Sequence, residues 1–476
     1  MDIDSGFRAL WSAAVDNRTQ LVALVGLAIA LGTTAHIVLN KRDARSAGAW
    51  TGLVWLVPFV GAVLYLVLGI NRIHRRARQL TQGGLAGAAA VSVAPEASPV
   101  GVQPHTLAEL VGRVTGLPLV QGNAVRVLEA PDAFEAMLKA VEQARSSVFL
   151  ATYIFGNDAA GHRMVAALRR AVERGVKVRV LVDGMGSLYS FPPVVGCLRS
   201  AGVPTQRFLY SLRPWRMPYM NLRNHRKLLV VDQTLGFTGG MNLRQGYLND
   251  PPGIRDLHVR VEGPVVAQLL SSFAIDWHFS CGEWLEEHYT GSLQPGHVNA
   301  RVVTTGPDAD LDKRRLALLA ALGRAEHRVR IITPYFVPDL NLATGLQLAV
   351  LRGIRIQLLL PANNNLRFVD WASQHILEWL VQEGLEVAFT PGCFDHSKLM
   401  IVDGSWSLLG SGNWDARSLR LNFELDLECY DPVLAYQLDD IFERRWASAV
   451  AYEEAVQPGW FRRLRNALAH LLEPYL

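Results

Sequence analysis

Two long stretches without charge lie near the start of the chain. Neither 19–40 nor 46–71 contains Asp, Glu, Lys or Arg, and a short charged segment separates them. A helix of about 20 apolar residues crosses a bilayer, so each stretch is long enough to span one. The second stretch holds Trp50, Trp55 and Tyr65, and such residues are typical of membrane interfaces. The pattern predicts an N-terminal region, 1–78, with a hairpin of two transmembrane helices at about 20–40 and 46–70.

A cleaved signal peptide and a pair of buried core helices are the alternatives for these stretches. No small-residue cleavage site precedes the basic cluster at 41–45, and a second apolar stretch follows at once, which disfavours a signal peptide. The outer flanks carry six Lys and Arg residues, at positions 8, 18, 72, 75, 76 and 78, against three in the connecting segment. Because these residues concentrate on the cytoplasmic side of membranes, we expect both flanks, and the rest of the chain, in the cytoplasm.

An alternation of helix and strand patterns begins beyond a linker at 79–104, which is marked by Gly, Ala and Pro. Helix candidates at 133–144 and 163–174 alternate with strand candidates at 148–155 and 176–182, and 315–324, 329–336, 342–351 and 354–360 repeat the order. Strands that alternate with helices predict a sheet covered by helices. We therefore predict an α/β fold with two similar domains, 105–295 and 296–476, related as a pseudo-twofold repeat.

A short polar pattern also occurs twice. Its residues are His225, Lys227, Asp232 and Asn242 in the first copy and His396, Lys398, Asp403 and Asn413 in the second. A His and a Lys two residues apart on an extended strand point to the same side, and the apolar run at 228–231 is typical of a buried strand. Two such strands together offer a phosphodiester a nucleophile, a proton donor and cations. For one copy alone, an ordinary surface His–Lys pair is the alternative, which two copies in register disfavour.

The duplicated pattern resembles the signature of the phospholipase D superfamily. Three further segments, 255–264, 333–339 and 417–424, look like bacterial cardiolipin synthases, and with the apolar N-terminus the resemblance covers nearly the whole chain. It implies two phospholipase D-like domains. Together with the distribution of Lys and Arg, it predicts a multi-pass protein of the bacterial inner membrane with cytoplasmic catalytic domains.

The resemblance also implies a role for each residue of the paired motifs. In the superfamily one motif histidine attacks phosphorus and the other protonates the leaving oxygen. Family precedent places the nucleophile at His225 and the acid at His396, although the two motifs are too similar for the residues to decide. Acidic residues downstream would orient the imidazoles, Asp256 for His225 and Glu424 for His396. The phosphate oxygens would be bound by Lys227, Lys398, Asn242 and Asn413.

Asp232 and Asp403 complete the motifs, but their position sets them apart from the histidines and lysines. Each lies an odd number of residues from its His, so we expect it to face away from the site and to hold the motif to neighbouring backbone. We expect no metal and no other cofactor, because the lysines supply positive charge and the sequence offers no carboxylate cluster suited to Mg²⁺ or Ca²⁺. The four cysteines are far apart, which fits a reducing compartment.

The reaction that the resemblance implies exchanges one phosphodiester for another. One phosphatidylglycerol would donate its phosphatidyl group to a second through a phosphatidyl-histidine, which gives cardiolipin and glycerol. The partner is then a phospholipid membrane and not nucleic acid, and the net charge of only +4 agrees with this. A phospholipase D or a lipid phosphatidyltransferase with another donor is the main alternative, followed by a nuclease and by an inactive membrane-anchored binding protein. The oligomeric state is left open.

Two further segments combine aromatic and basic residues. The segment 209–220 precedes the first motif and either touches lipid or packs on its domain. In 459–476 apolar residues recur at helical spacing with arginines between them, which predicts a C-terminal amphipathic helix. This helix lies in the membrane interface or packs on the second domain, and the sequence leaves both alternatives open.

Overall fold

The computed structural model describes residues 3–41, 44–69, 105–211, 221–249, 253–285, 288–452 and 459–471. They belong to two compact units, Met1–Arg76 and Ala77–Leu476. The predicted linker at 79–104 and most of the segment 209–220 lie outside the described residues. The boundary predicted between 105–295 and 296–476 stays a prediction.

The first unit is helical. It contains α1 Ile3–Asn40, α2 Ala44–Leu56 and α3 Pro58–Leu64, followed by a π-helical turn at Tyr65–Gly69. Within the described residues, Arg18–Asn40 is the one segment long and apolar enough to cross a bilayer. Pro58 divides the second apolar stretch, because a proline has no N–H to donate and is favoured at the start of a helix. Trp55 Nε1 nevertheless donates to Thr34 Oγ1 over 3.1 Å, so this stretch packs back along α1.

The second unit mixes helices and strands. Its described helices are α4 His105–Thr115, α5 Ala130–Gln143, α6 Ala159–Glu173, α7 Val194–Ser200, α8 Val265–Cys281, α9 Lys313–Arg324, α10 Leu340–Leu351, α11 Arg367–Gln382, α12 Ala416–Arg420, α13 Pro432–Ala447 and α14 Trp460–His470. Its described strands are β1 Val120–Glu129, β2 Ser147–Thr152, β3 Lys177–Asp183, β4 Thr205–Phe208, β5 Arg223–Asn224, β6 Leu228–Val231, β7 Leu235–Gly239, β8 Ile254–Arg255, β9 Leu257–Glu262, β10 Val298–Thr305, β11 Arg328–Ile332, β12 Phe336–Val337, β13 Arg355–Pro361, β14 Glu386–Thr390, β15 Phe394–Asp395, β16 Leu399–Val402, β17 Trp406–Gly410, β18 Trp414–Asp415, β19 Asn422–Tyr430 and β20 Val450–Ala451.

One continuous sheet runs through this unit. Its strand order is β20-β14-β13-β11-β16-β17-β19-β10-β1-β9-β7-β6-β2-β3-β4. The earlier and later strands meet where β1 pairs antiparallel with β10, at Val120 and Ala300. Two pairs of short strands outside this order, β12–β18 and β15–β8, join distant parts of the chain. The sheet therefore carries both motif segments, one on each side of the β1–β10 junction.

Helices cover both faces of the sheet. Alternate residues of β2 pack with α5 and α6, whereas Phe149 between them stacks on Phe273 of α8, with ring centroids 5.4 Å apart. In the later half, alternate residues of β11 pack with α9, α10 and α11. Arg330 between them donates over 2.8 Å to Asp439 of α13. Because neighbouring strand residues point to opposite faces, α8 and α13 cover one face and the other helices named here cover the opposite one.

All eight helix and strand candidates have the predicted type, and their ends differ from the prediction by up to four residues. The start of α6 shows why. Asp158 accepts a hydrogen bond of 2.9 Å from the Gly161 N–H, so this helix begins at its cap and not at the first apolar residue. Asp339 caps α10 in the same way by accepting from the Leu342 N–H over 3.0 Å.

Candidate active site

The two His-x-Lys segments lie just before strands β6 and β16, and each is held by backbone of the other half. The His225 N–H donates over 2.9 Å to the carbonyl of Phe423, which belongs to β19. The His396 N–H donates over 2.7 Å to the carbonyl of Arg255 in β8. The histidines and lysines of both motifs are buried. The backbone of each motif is therefore hydrogen-bonded to the residue that precedes an acidic residue of the opposite half. That acidic residue is Glu424 for the first motif and Asp256 for the second.

The carboxylate partners of the two histidines are exchanged relative to the sequence prediction. His225 Nδ1 lies 2.8 Å from Glu424 Oε2, and His396 Nδ1 lies 2.7 Å from Asp256 Oδ2. The predicted pairing, Asp256 with His225 and Glu424 with His396, is wrong.

Strand pairing explains the exchange. β5 pairs in parallel with the start of β19, which aligns Asn224 with Phe423 and thus brings His225 beside Glu424. β15 pairs in parallel with β8, which aligns Asp395 with Arg255 and brings His396 beside Asp256. Each histidine of one half is therefore oriented by a carboxylate of the other half.

Burial and the lysines keep both imidazoles neutral near pH 7. Burial lowers the pKa of His225 to about 4, with Lys227 and Lys398 acting in the same direction and Glu424 against it. Burial, together with Lys398 and Lys227, holds the pKa of His396 well below its usual range. Because each lysine acts on both histidines, the two motifs surround one centre. A neutral imidazole has the free electron pair that a nucleophile needs.

The two carboxylates differ in their electrostatic surroundings. Burial opposes ionisation of Glu424, but His225, Lys227 and a hydrogen bond from Ser411 outweigh it and lower the pKa of Glu424 to about 2. Burial raises the pKa of Asp256 to about 7, although Lys398 and the Leu257 N–H oppose it. Glu424 is thus ionised at neutral pH, whereas Asp256 titrates near neutrality.

The motif lysines are turned towards the backbone of their own motif. Lys227 Nζ donates over 2.7 Å to the carbonyl of His225, and Lys398 Nζ donates to the carbonyl of His396. Burial lowers the pKa of Lys227 well below its usual range and that of Lys398 to about 8. A bound anion stabilises both charges, because it supplies the opposite charge that burial withholds.

The two motif asparagines are buried, and their side chains have different surroundings. Asn242 Oδ1 accepts over 3.1 Å from the Ile154 N–H, which leaves its amide N–H₂ towards Tyr247 at 3.4 Å. Asn413 Oδ1 has no hydrogen-bond partner among the residues that the structure describes. Their predicted role as ligands of the phosphate stays a prediction.

Asp232 and Asp403 lie away from the imidazoles, as their odd spacing from the motif histidines predicts. The Asp232 carboxylate accepts from three successive backbone N–H groups, those of 145, 146 and 147, at 2.7–3.0 Å. Asp403 accepts from the N–H groups of 326, 327 and 328 at 2.7–2.9 Å. Both carboxylates join the motif turn to the start of the neighbouring strand, so their contacts hold the framework of the sheet.

Three polar side chains that the sequence analysis did not single out hold Glu424. Ser411 Oγ donates over 2.6 Å, Ser418 Oγ over 2.9 Å and Asn422 Nδ2 over 3.0 Å. Ser411 lies in the Gly-Ser-Gly-Asn stretch after the second motif, where a hydroxyl between two glycines is the signal that points to it. These donors fix the carboxylate that orients His225.

A buried Arg–Asp ion pair joins each motif to a helix, and the two pairs have opposite orientations. Arg226 lies between His225 and Lys227, and its Nη1 is 2.9 Å from both carboxylate oxygens of Asp276 in α8. Behind the second motif, Arg445 of α13 donates from Nη1 to Asp395 over 2.9 Å. Arginine thus stands on the motif in the first half and on the helix in the second.

The sequence contains a signal for these ion pairs. The helix residues lie in Phe273-x-x-Asp276-Trp277 and in Phe442-x-x-Arg445-Trp446, which differ in the sign of one charge. In both helices the Phe and Trp rings stack, with centroids 6.0 Å and 5.5 Å apart. Alignment of this pattern therefore places Asp276 and Arg445 at equivalent positions of the two halves.

His258 of β9 is a buried histidine outside both motifs. Within the part of the chain that the structure describes, neither of its ring nitrogens has a hydrogen-bond partner. Burial lowers its pKa to about 4, with the Lys227 charge acting in the same direction and Asp256 against it. It is therefore a neutral ring packed behind the site.

Among the residues that the structure describes, no group of three or more His, Cys, Asp and Glu side chains is arranged to hold a metal ion. The four cysteines, at 197, 281, 393 and 429, are free.

Comparison with known proteins identifies the family of this chain. Residues 137–277 and 318–446 match the family described as "Cardiolipin synthase, PLD-like domain", and residues 28–69 match "Phospholipase_D-nuclease N-terminal". The chain is 32% identical to cardiolipin synthase A of Pseudomonas fluorescens over 470 residues, which cover 95% of this chain and 98% of the relative. It is 29% identical to a major cardiolipin synthase of Bacillus subtilis over 92% of this chain and 95% of the relative.

A solved structure shares the fold. The phosphatidylserine synthase of Haemophilus influenzae superimposes with a TM-score of 0.61 at 14% identity, covering 78% of this chain and all of that one. At this identity the likeness concerns the fold alone. With both family matches and the near full-length relatives, the chain belongs to the cardiolipin synthases of the phospholipase D superfamily.

Proposed function

We propose that this chain is a cardiolipin synthase that transfers the phosphatidyl group of one phosphatidylglycerol to a second and releases glycerol. The observation that carries the proposal is the pair of neutral, buried histidines, each beside a lysine and a carboxylate, at 2.8 Å for His225 and 2.7 Å for His396. Such a site can bind an anionic phosphodiester and serve it with a nucleophile and a proton donor. The near full-length likeness to cardiolipin synthases supports the lipid substrate.

In the first step, His225 is the nucleophile. Its Nε2 attacks phosphorus, the P–O bond to the headgroup glycerol breaks, and His396 gives its proton to the departing oxygen. Glu424 accepts the Nδ1–H of His225 and stabilises the positive charge that develops on that ring. Bound phosphate offsets the charge of the two lysines, which raises the pKa of His396 and lets it carry the proton.

In the second step, the phosphatidyl-histidine is transferred to an acceptor. A glycerol hydroxyl of a second phosphatidylglycerol attacks phosphorus, His396 takes its proton, and the P–N bond to His225 breaks. Lys227, Lys398, Asn242 and Asn413 bind the non-bridging oxygens in both steps. One phosphodiester replaces another, so the reaction needs no external energy, and burial of the site excludes the water that would turn transfer into hydrolysis.

The same proposal includes the placement of the chain in the membrane. The protein is associated with a bilayer through its apolar N-terminal region. We place it in the bacterial inner membrane with two spans, both flanks cytoplasmic, and two catalytic halves related by a pseudo-twofold axis. The distribution of Lys and Arg supports the orientation, and the match of one family to two parts of the chain supports the duplication.

Product analysis with a single lipid tests the function. Purified full-length protein receives vesicles of phosphatidylglycerol alone, and lipids and water-soluble products are measured with and without a chelator. We expect cardiolipin and free glycerol in equal amounts in both conditions. Phosphatidic acid as the main product would make the protein a hydrolase, and no product until a second phospholipid is added would identify a different donor.

Trapping of the intermediate tests the roles of the histidines. His225→Ala and His396→Ala should each abolish turnover, and the His396→Ala variant should retain the phosphatidyl group on His225. Recovery of the label on position 396 alone, in the reciprocal variant, would reverse the two roles. His297→Ala is the matched control, because this exposed histidine also pairs with a carboxylate, Asp431 at 3.2 Å, and should keep full activity.

A further inference from the structure

The C-terminal helix α14 turns its apolar side away from the domain that it packs on. The side chains concerned, called here the apolar stripe, are Trp460, Phe461, Leu464, Leu468 and Leu471, all exposed. Trp460 is 67% and Phe461 80% accessible to solvent. At about 3.6 residues per turn the five fall within an arc of about 100°. An amphipathic helix of a soluble domain buries such an arc, so this one has the reverse arrangement.

The opposite side of α14 is docked firmly. Asn466 and Ala469 are both 5% exposed and face α11. Ala469 joins one buried cluster with Val337 and with Val369 and Ala372 of α11. The stripe is therefore exposed while the helix is in its packed position, and no detachment is needed to present it.

Positive charge borders the stripe. The helix contains three arginines and neither Asp nor Glu. Arg463, on one edge, pairs with Glu378 at 3.0 Å, and Arg465, on the other, lies 4.5 Å above the Trp371 ring. An apolar arc with Trp and Phe, bordered by arginines, is the pattern of helices that lie in the interface of anionic membranes.

A chain of packed rings leads from this helix to the active site. Tyr335 packs against the cluster that contains Ala469. The Tyr335 ring centroid is 6.1 Å from that of Phe394, and the Phe394 ring is 5.8 Å from that of His396. The surface that carries α14 is thus a few side chains away from one of the catalytic histidines.

We propose that the apolar stripe inserts into the interface of an anionic phospholipid bilayer, with Arg463 and Arg465 at the level of the lipid phosphates. Through α14 the protein then has a second contact with the membrane, in addition to that of its apolar N-terminal region. A second copy of the chain is a poorer occupant, because a twofold contact would bring the three arginines of each helix against those of the other. The choice of phosphatidylglycerol for the vesicles in the tests rests on the proposed function. The membrane contact itself rests on the exposed stripe and its arginines.

Site-specific photo-cross-linking tests the contact. Benzoylphenylalanine replaces Phe461 in the full-length chain, which is reconstituted in phosphatidylglycerol vesicles and illuminated. The matched control carries the same group at Tyr436, which is 75% exposed on α13, on the opposite face of the sheet. We expect a lipid adduct at position 461 in several-fold excess over position 436. Equal lipid yields at the two positions, or a cross-linked dimer at 461, would overturn the proposal.

Kinetics gives a second readout on the same surface. Trp460→Ser with Phe461→Ser should lower the rate on phosphatidylglycerol vesicles by about tenfold, because the stripe loses apolar area, and should leave the rate on dispersed short-chain phosphatidylglycerol unchanged. Val433→Ser with Tyr436→Ser should change neither rate. Equal losses on both substrates would show a folding role and contradict the membrane contact. Cross-linking needs no turnover, so it stands or fails separately from the proposed reaction.

Discussion

The two buried Arg–Asp pairs, which have opposite orientations, lead to a prediction for which the second half of the chain provides the control. Asp276→Ala removes the carboxylate from Arg226 and leaves the guanidinium buried, with Asp310 at 3.7 Å and the Glu424 carbonyl at 3.2 Å as its remaining polar partners among the described residues. The side chains of Arg226 and Asp276 are only 4% and 5% exposed. Removing one partner from such a pair costs about 3–5 kcal/mol of the free energy of unfolding. Since Arg226 lies between the His and the Lys of the first motif, we also expect kcat to fall by about 10²-fold, because both side chains would be misplaced.

A compensating triple variant uses the other half of the protein as a template. Asn224→Asp, Arg226→Ser and Asp276→Arg together rebuild the arrangement of Asp395, Ser397 and Arg445 in the first half. In the second half Arg445 Nη1 lies 2.9 Å from both Asp395 Oδ2 and Ser397 Oγ, so the triple variant has a defined geometry to adopt. We expect it to recover most of the stability and kcat, whereas Asp276→Arg alone sets two cations together and should be the worst variant.

The assay follows residual cardiolipin synthesis and tryptophan fluorescence of the detergent-solubilised chain against urea. The midpoint should order as wild type, triple variant, Asp276→Ala and Asp276→Arg, from highest to lowest. The reasoning is refuted if Asp276→Ala matches the wild type in both midpoint and kcat, or if the triple variant is no better than Asp276→Arg.

Four further predictions concern other parts of the chain. Asp403→Asn should lower the free energy of unfolding by about 1–2 kcal/mol, measured by urea titration, with kcat nearly unchanged, because its carboxylate contacts backbone N–H groups and no site group. Burial lowers the pKa of His258 to about 4, so its neutral ring contributes stability above about pH 6.5 that is lost as the pH falls towards 4. His258→Leu should then be less acid-sensitive than the wild type by up to about 3 kcal/mol, and equal pH dependence would contradict this. Glu424→Gln should slow formation of the trapped intermediate on His225 by about 10²-fold in single-turnover experiments, and an unchanged rate would remove Glu424 from that step. The protein should stay with membranes through an alkaline wash, and deletion of 1–78 should release much of it; release of the intact chain by the wash would contradict the anchor.

The motif residues were predictable because their signal is local. A spacing of two residues on an extended segment sets the direction of His225 and Lys227, and an odd spacing turns Asp232 the other way. The same holds for the helices and strands, whose type follows from apolar periodicity, although caps such as Asp158 move their ends.

The partners of the histidines were not predictable because they depend on which distant strands pair. Asp256 and Glu424 were identified as the orienting acids, but the register of β5 on β19 and of β15 on β8 decides which imidazole each one meets. For the C-terminal helix, periodicity shows that one side is apolar and does not show which side is buried. The structure resolves this, because Asn466 and Ala469 are inside and the leucines are outside.

The crossed histidine–carboxylate pairs also bear on the synthesis of the protein in the cell. A ribosome releases the chain from its N-terminus, so His225 emerges long before Glu424, and domains fold in that order. Until the later half has folded, His225 lacks its orienting carboxylate and Asp256 has no His396 to orient. On the mechanism that we propose, a chain of which only the first half has folded therefore cannot attack a lipid, and competence for phosphodiester chemistry arises late, when the two halves join.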